Sequence, residues 1–380
     1  MRGLPELLSS QDGRRFLESR GAFVDPDRFV AELAPPARPA LASRLVPGGE
    51  ARLAYMAHQT HADFGSSVVA KFRAARDLSE DGTPTMMLWF DMDRAGSDKA
   101  STTITWTLRN DEVSVRLVPQ RLRDIEARFL PVEPGRIGEV MATLGAWIER
   151  SADDAANHDA KRRLSLLSEA MTGEQVRTLA GLNRTIGELL VRERLAFRPP
   201  SAFVSELIAE GLLQEDLEAV LRDVDGFVAV VNEAIAALVA ADVDPHLHPL
   251  EEDYLPLHYS CPRDGARRRL HHERQAADHF GVASCSCGAT YRFHLGSPVP
   301  SLGELGPTGR WSPDVSLPVY LDGLFSGLVA GRSSALYGLL LTEVVRQVLG
   351  RRPIPMLIPA ELQDPGIHGG SLLRDFLLGR

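Results

Sequence analysis

Two histidines, in the run His58-Gln59-Thr60-His61, follow an apolar stretch and precede a helical one. Imidazoles at such a junction can meet a phosphate, because free backbone N–H groups and the helix dipole already favour an anion there. Gln59 lies between them. Lys71, in the helix that follows, could reach the same phosphate; facing outward it is a solvated helix lysine. Asp91 and Asp93 close the next apolar run. Residues i and i+2 of an extended chain point to one side. The pair could hold Mg2+, bind a substrate amine or contact ribose hydroxyls, and the plainer alternative is an Asx-type loop start. Gly331-Arg332-Ser333-Ser334 opens a later helix. Gly331, the hydroxyls of Ser333 and Ser334 and the charge of Arg332 suit a phosphate cradle, or simply a Gly followed by a Ser cap.

All three cysteines fall between 261 and 287. Cys261-Pro262-Arg263-Asp264-Gly265 and Cys285-Ser286-Cys287-Gly288 read as two zinc knuckles, each with a sharp turn and a Gly that lets backbone N–H groups face sulfur. Tetrahedral Zn2+ wants four ligands. Asp264 stands where a fourth cysteine would fall, with His258, His271 and His272 as rivals. The result is either a closed structural ribbon or a three-ligand site open to a substrate thiol; cysteines merely buried are the plain alternative.

The elements that must position these groups alternate between strand and helix. Arg52 to Ala57 reads as a strand ending at His58, Phe64 to Leu78 has helical spacing, and TMMLWF is a second strand ending at Asp91. This strand–helix–strand unit puts polar residues after both strands, where open α/β sheets bind ligands. Thr102–Leu108 and Val113–Val118 alternate as a hairpin around Asn110-Asp111. The section 134–254 is mostly helical, with its longest helix at Glu215–Ala241. The pattern returns with VSLPVYL as a strand, Ala335–Leu349 as a helix and IPMLIP as the last strand. The expected fold is α/β: a Rossmann-like parallel-sheet core in two halves, 51–133 and 298–380. It follows an N-terminal segment 1–50, and is interrupted by a helical insertion 134–254 and a zinc-ribbon-like module 255–297.

With 44% hydrophobic and 24% charged residues, the 380-residue chain has the composition of a globular protein. Its 51 acidic against 42 basic side chains, net -9, disfavour a dedicated nucleic-acid binder. No apolar run is long enough to span a membrane, the first residues lack an apolar signal core, and three cysteines cannot pair completely. A cytoplasmic protein is expected, with small-molecule partners and room for a homo-oligomer.

Taken together, these segments resemble the bacillithiol-biosynthesis cysteine-ligase family, which is similar to class I synthetase-like nucleotide-binding proteins. The likeness lies in His58-Gln59 with the downstream VVAKFRAA, in LWFDMD, and above all in the order of elements from Trp311 to Pro359. His58-Gln59-Thr60-His61 also echoes the H-x-G-H signature of adenylyl-transferring enzymes, with Thr60 in place of the Gly. The cysteine segment is similar to zinc ribbons of class I tRNA synthetases. The resemblance implies an enzyme using ATP and Mg2+, alongside Zn2+, to activate an amino-acid carboxylate, with cysteine the first candidate, and to join it to an amine. His58, His61 and Lys71 would contact phosphate and stabilise charge. Asp91 and Asp93 would orient the amine or a metal, and Gln59 and Gly331–Ser334 would contact nucleotide or substrate. A nucleotidyltransferase of the same fold, or a zinc-containing binding protein without activity, are the rival readings.

Overall fold

The computed structural model describes all residues except 97–101, 109–110, 152–153, 174–175, 315–316, 365, 367–369 and 380. The chain forms two compact units. One comprises Met1–Ala57, Ala74–Leu88 and Pro200–Pro365; the other comprises His58–Arg73, Trp89–Pro199 and Gly366–Arg380.

The first unit is built on a mixed α/β plan around a six-stranded sheet. Its strands are β1 (Ala22–Phe23), β2 (Ala54–Gln59), β3 (Thr85–Phe90), β6 (Ser201–Phe203), β12 (Gly327–Val329) and β13 (Met356–Leu357), in the order β1-β13-β12-β2-β3-β6. The β1–β13, β12–β13 and β12–β2 pairs are parallel. Thr85 to Trp89 are all buried, as are Gly327 to Val329, so these strands are near-continuous apolar runs rather than alternating ones. The helices Val224–Ala240 and Arg332–Gln347 pack against each other in this unit.

Residues 1–50 do more than the sequence suggests. They supply the helices Leu4–Ser9, Gln11–Ser19, Pro26–Glu32 and Pro39–Leu45, and the edge strand β1. A two-residue strand is too short to show a period.

Two expectations are corrected. VSLPVYL is not a strand: Leu317–Leu321 is a short helix, and Val315 and Ser316 lie outside the described residues. Pro318 accounts for this, since proline suits the first turn of a helix but removes a ladder hydrogen bond from a central strand. The strand that pairs into the sheet is β12, a few residues on. Nor is Glu215–Ala241 one helix. Gln214–Arg222 ends at Asp223, whose carboxylate caps Val224–Ala240 by accepting the Gly226 amide at 3.1 Å.

A second, antiparallel sheet holds β7 (Tyr254–Ser260), β8 (Arg267–Gln275), β9 (Asp278–Ser284), β10 (Thr290–Gly296) and β11 (Trp311–Pro313), ordered β10-β9-β8-β7-β11. The module therefore extends past residue 297, because β11 pairs with β7.

Before β12 and β13 lies a buried polar cluster. Asp216 meets Arg351 at 3.0 Å and Arg38 more closely still. Asp322, 7% exposed, accepts the Ile354 amide at 3.1 Å. Burial pushes its carboxyl up to about 7, against the opposing pull of that amide and of Arg351. A carboxyl whose folded value is raised favours the fold when protonated, so its contribution is present at low pH and lost as pH climbs from about 4 toward 7. Asp322→Asn should raise stability near pH 8 by on the order of 2–4 kcal/mol and change it little near pH 4, read as melting temperature against pH. A variant less stable than wild type at the higher pH would refute this account.

The second unit contains the hairpin of β4 (Thr103–Leu108) and β5 (Asp111–Arg116). Asn110, in the expected turn, lies outside the described residues. The helices Pro134–Ser151, Asp154–Met171, Leu179–Leu195 and Leu372–Leu378 complete it, with the first half of Ser66–Glu80. The helical stretch 134–254 is thus shared between the units, divided at Pro199-Pro200. Among the described residues no helix is long and apolar enough to cross a membrane.

Candidate functional site

The cysteines come together because of strand order. Cys261–Ala266 is the tip of the β7–β8 hairpin and Cys285–Ala289 the tip of the β9–β10 hairpin, and both tips lie at one end of the sheet. Each tip closes on itself. The Cys261 amide donates to Ala266 O at 2.9 Å and the Gly265 amide to Cys261 O at 2.8 Å; the Cys285 amide donates to Ala289 O at 2.8 Å and the Gly288 amide to Cys285 O at 3.0 Å. Gly265 and Gly288 have φ of 76° and 83°, which favours glycine in both knuckles.

Ligand atoms of Cys261, Asp264, Cys285 and Cys287 all lie within 4.8 Å of one another. Cys261 and Cys287 sulfurs are 3.7 Å apart, and Cys285 Sγ lies 3.2 Å from Asp264 Oδ2. Cys261 and Cys285 are buried in a small cluster with Ala266 and Ala289, while Asp264 and Cys287 face solvent. Three thiolates and one carboxylate are a donor set for a tetrahedral metal such as Zn2+. Of the rivals to Asp264, His271 sits 3.0 Å from Asp253, and His272 sits 2.9 Å from His279. His258 lies within β7, paired in register with Arg269.

Neighbours tune the thiols. Burial pushes Cys261 up, but the Tyr291 hydroxyl, 3.2 Å away, and the amides of Asp264 and Arg263 outweigh it and hold the thiol below its ordinary range. Cys285 is pushed up by burial and by the Asp264 carboxylate. The bond to Cys261 raises Tyr291 to about 12. Nothing in the sequence marked Tyr291 as part of this centre, since a tyrosine in a strand is ordinary.

A second cluster belongs to the other unit. His58 ends its stay in β2 with Nδ1 2.7 Å from Gln59 O, and its ring meets that of His61 edge-on at 4.7 Å. Both rings lie against Phe64, which in turn packs on Phe72 and Trp89. Lys71 is only 4% exposed, and burial lowers it from 10.5 to about 8. Burial, then the charge of Lys71, then His61 keep His58 well below the usual imidazole range. The outward-facing reading of Lys71 is therefore wrong.

Strand β3 stops at Phe90, so Asp91 and Asp93 lie beyond it, with Asp93 in a bend, and the extended-chain argument for their pairing does not apply. Their backbone is held by 123–128: Ala127 N donates to Asp93 O and Arg128 N to Asp91 O, each at 3.1 Å. Asp91 is buried, and Asp93 accepts a close hydrogen bond from the Gln59 side chain. His58, Gln59, His61, Lys71, Asp91 and Asp93 thus all fall in one unit: His58 and Gln59 end β2, His61 lies in the loop after it, Lys71 is in the first half of the helix Ser66–Glu80, and Asp91 and Asp93 follow β3.

Three contributors were invisible in the sequence. Asn183, fully buried, donates to Thr60 O at 2.9 Å and steadies the histidine loop. One turn on, Gly187 leaves room for Trp89, since a Cβ there would lie 2.5 Å from its ring. Asp63 accepts the Leu373 amide at 2.8 Å and the Ser371 hydroxyl at 2.5 Å, tying the C-terminal helix to the loop; burial nonetheless raises it to about 6. Such long-range contacts leave no local pattern.

Gly331-Arg332-Ser333-Ser334 belongs to the first unit and is occupied with local work. The Gly331 amide donates to Ser334 Oγ at 3.0 Å, and the Arg332 guanidinium donates to the carbonyls of Leu362 and Asp364. Gly331 is the N-cap of the helix and Ser334, at its third position, reaches back to the Gly331 amide. No family model matches the chain, and no curated protein matches it.

Proposed function

We propose that the protein is an ATP-dependent ligase that activates an amino-acid carboxylate and joins it to an amine, with a structural zinc in its antiparallel module. The observation that carries the enzymatic half is Lys71. A lysine 4% exposed, with its affinity for protons lowered, costs stability and is the kind of group found where charge develops during a reaction. It sits with His58, His61, Asp91 and Asp93 after two strands of an α/β sheet, the usual place for a ligand in such folds. In this reading Lys71 and the two histidines meet phosphate and stabilise negative charge as the carboxylate is activated. Asp91 and Asp93 orient the incoming amine or Mg2+, and Gln59 holds Asp93. The likeness to the bacillithiol-biosynthesis cysteine-ligase family supports the reaction class, with a Rossmann-like core as its fold.

Four protein ligands supplied by Cys261, Asp264, Cys285 and Cys287 would saturate the zinc and leave no position for a substrate thiol. The case for cysteine as acyl donor therefore rests on the family likeness alone.

The test is ATP consumption dependent on each of the twenty standard amino acids, with hydroxylamine to trap an activated acyl group. Stimulation by one amino acid and a trapped hydroxamate are expected, with cysteine tried first. Pyrophosphate release that needs no amine would replace the ligase by a nucleotidyltransferase. A chain that binds no adenine nucleotide at millimolar concentration would end the enzymatic reading.

A further inference from the structure

The four-ligand centre is asymmetric in a way that points to chemistry of its own. Cys285 is buried and its sulfur faces Asp264, whereas Cys287 is exposed at the hairpin tip and its sulfur lies 3.7 Å from that of Cys261. A small oxidant arriving from solvent meets Cys287 first, and Cys261, buried with its sulfur 3.7 Å away, can resolve the oxidised sulfur; Cys285, whose thiol also contacts Cys287, is the rival that the test below separates. We propose that Cys261 and Cys287 are an oxidisable dithiol, the target of a hydroperoxide, and that forming their disulfide expels the metal. The expulsion rests on the metal reading above.

The steps balance. The Cys287 thiolate attacks the outer oxygen of the hydroperoxide, the O–O bond breaks, and the alkoxide that leaves takes a proton from water. This leaves a sulfenic acid on Cys287, the sulfur having given up two electrons to the peroxide. The Cys261 thiolate then attacks that sulfur, the S–S bond forms, and hydroxide departs. Two thiolates, one hydroperoxide and one water become one disulfide, one alcohol and two hydroxides. The sulfurs need to close by roughly 1.7 Å to reach bonding distance. Only Cys285 and Asp264 then remain as ligands, too few for a tetrahedral site.

The chain has three cysteines, so the result can be counted. The full-length protein, loaded with one zinc, is treated with one equivalent of hydrogen peroxide beside a chromogenic chelator. Titratable thiols should fall from three to one, one zinc should appear per chain, and peptide mapping should join Cys261 to Cys287. Dithiothreitol with added zinc should restore both counts. A disulfide that includes Cys285, or zinc loss with cysteine sulfinic acid and no disulfide, overturns the proposal. A chain that takes up no zinc refutes the metal reading and the expulsion together. Mapping on that metal-free chain still decides whether Cys261 and Cys287 are the reactive pair.

Discussion

Wild type is expected to carry one zinc per chain and Cys285→Ser to lose nearly all of it, and chelation of wild type should lower its melting temperature by on the order of 10 °C. The reasoning begins with the hairpin tips. The cluster they bury is small, two cysteines with Ala266 and Ala289 and the flank of Tyr291, and offers little apolar area to hold two turns together. A metal bound only by the folded form adds stability by mass action, about 4 kcal/mol at a thousandfold excess over its dissociation constant. Without the ion, the tips bring three sulfurs and a carboxylate within 4.8 Å, a concentration of negative charge once the thiols ionise. Asp264→Ala should weaken zinc binding, while His271→Ala and His272→Ala should leave it unchanged. Equal zinc in wild type and Cys285→Ser, measured by elemental analysis, would sink the assignment.

Lys71→Met should do two things: slow the proposed ATP-dependent reaction by about a hundredfold or more, and make the protein more stable at neutral pH. Burial lowers Lys71 from 10.5 to about 8. Its folded value lies below its unfolded one, so the charged form opposes folding. The penalty is full below about pH 8 and fades as pH rises toward about 10.5. Replacing the ammonium by an apolar group of similar length should stabilise the fold by on the order of 2–3 kcal/mol at about pH 7, with the gain shrinking above about pH 9. Melting curves across that range, beside ATP turnover at about pH 7.5, read both effects. Unchanged turnover would remove Lys71 from the proposed machinery. A variant less stable than wild type at about pH 7 would refute this account of its burial.

The sequence alone was enough for features written in local pattern. Helix Ser66–Glu80 follows from its apolar spacing, β3 from an unbroken apolar run, and both knuckles from Cys and Gly at short separations. Local pattern failed where local and tertiary preferences differ. VSLPVYL has the apolar content of a strand, yet Pro318 lies in the first turn of a helix. Glu215–Ala241 has a continuous helical period, yet Asp223 and Gly226 make a cap within it.

The sites divide along the same line. Residue types and spacing identified the cysteines, but four residues could claim the last ligand position, because sequence separation says nothing about which side chain comes to lie beside them. In the structure it is the Asp264 carboxylate that lies with the three sulfurs. Histidine and lysine spacing located the loop after β2. Only packing put Lys71 inside the protein, and only a helix more than a hundred residues away supplied Asn183 to hold Thr60. Chemistry that lies within one turn is legible in a sequence, because backbone geometry places neighbours at fixed distances. Burial and long-range hydrogen bonds are not, because they depend on which elements pack together.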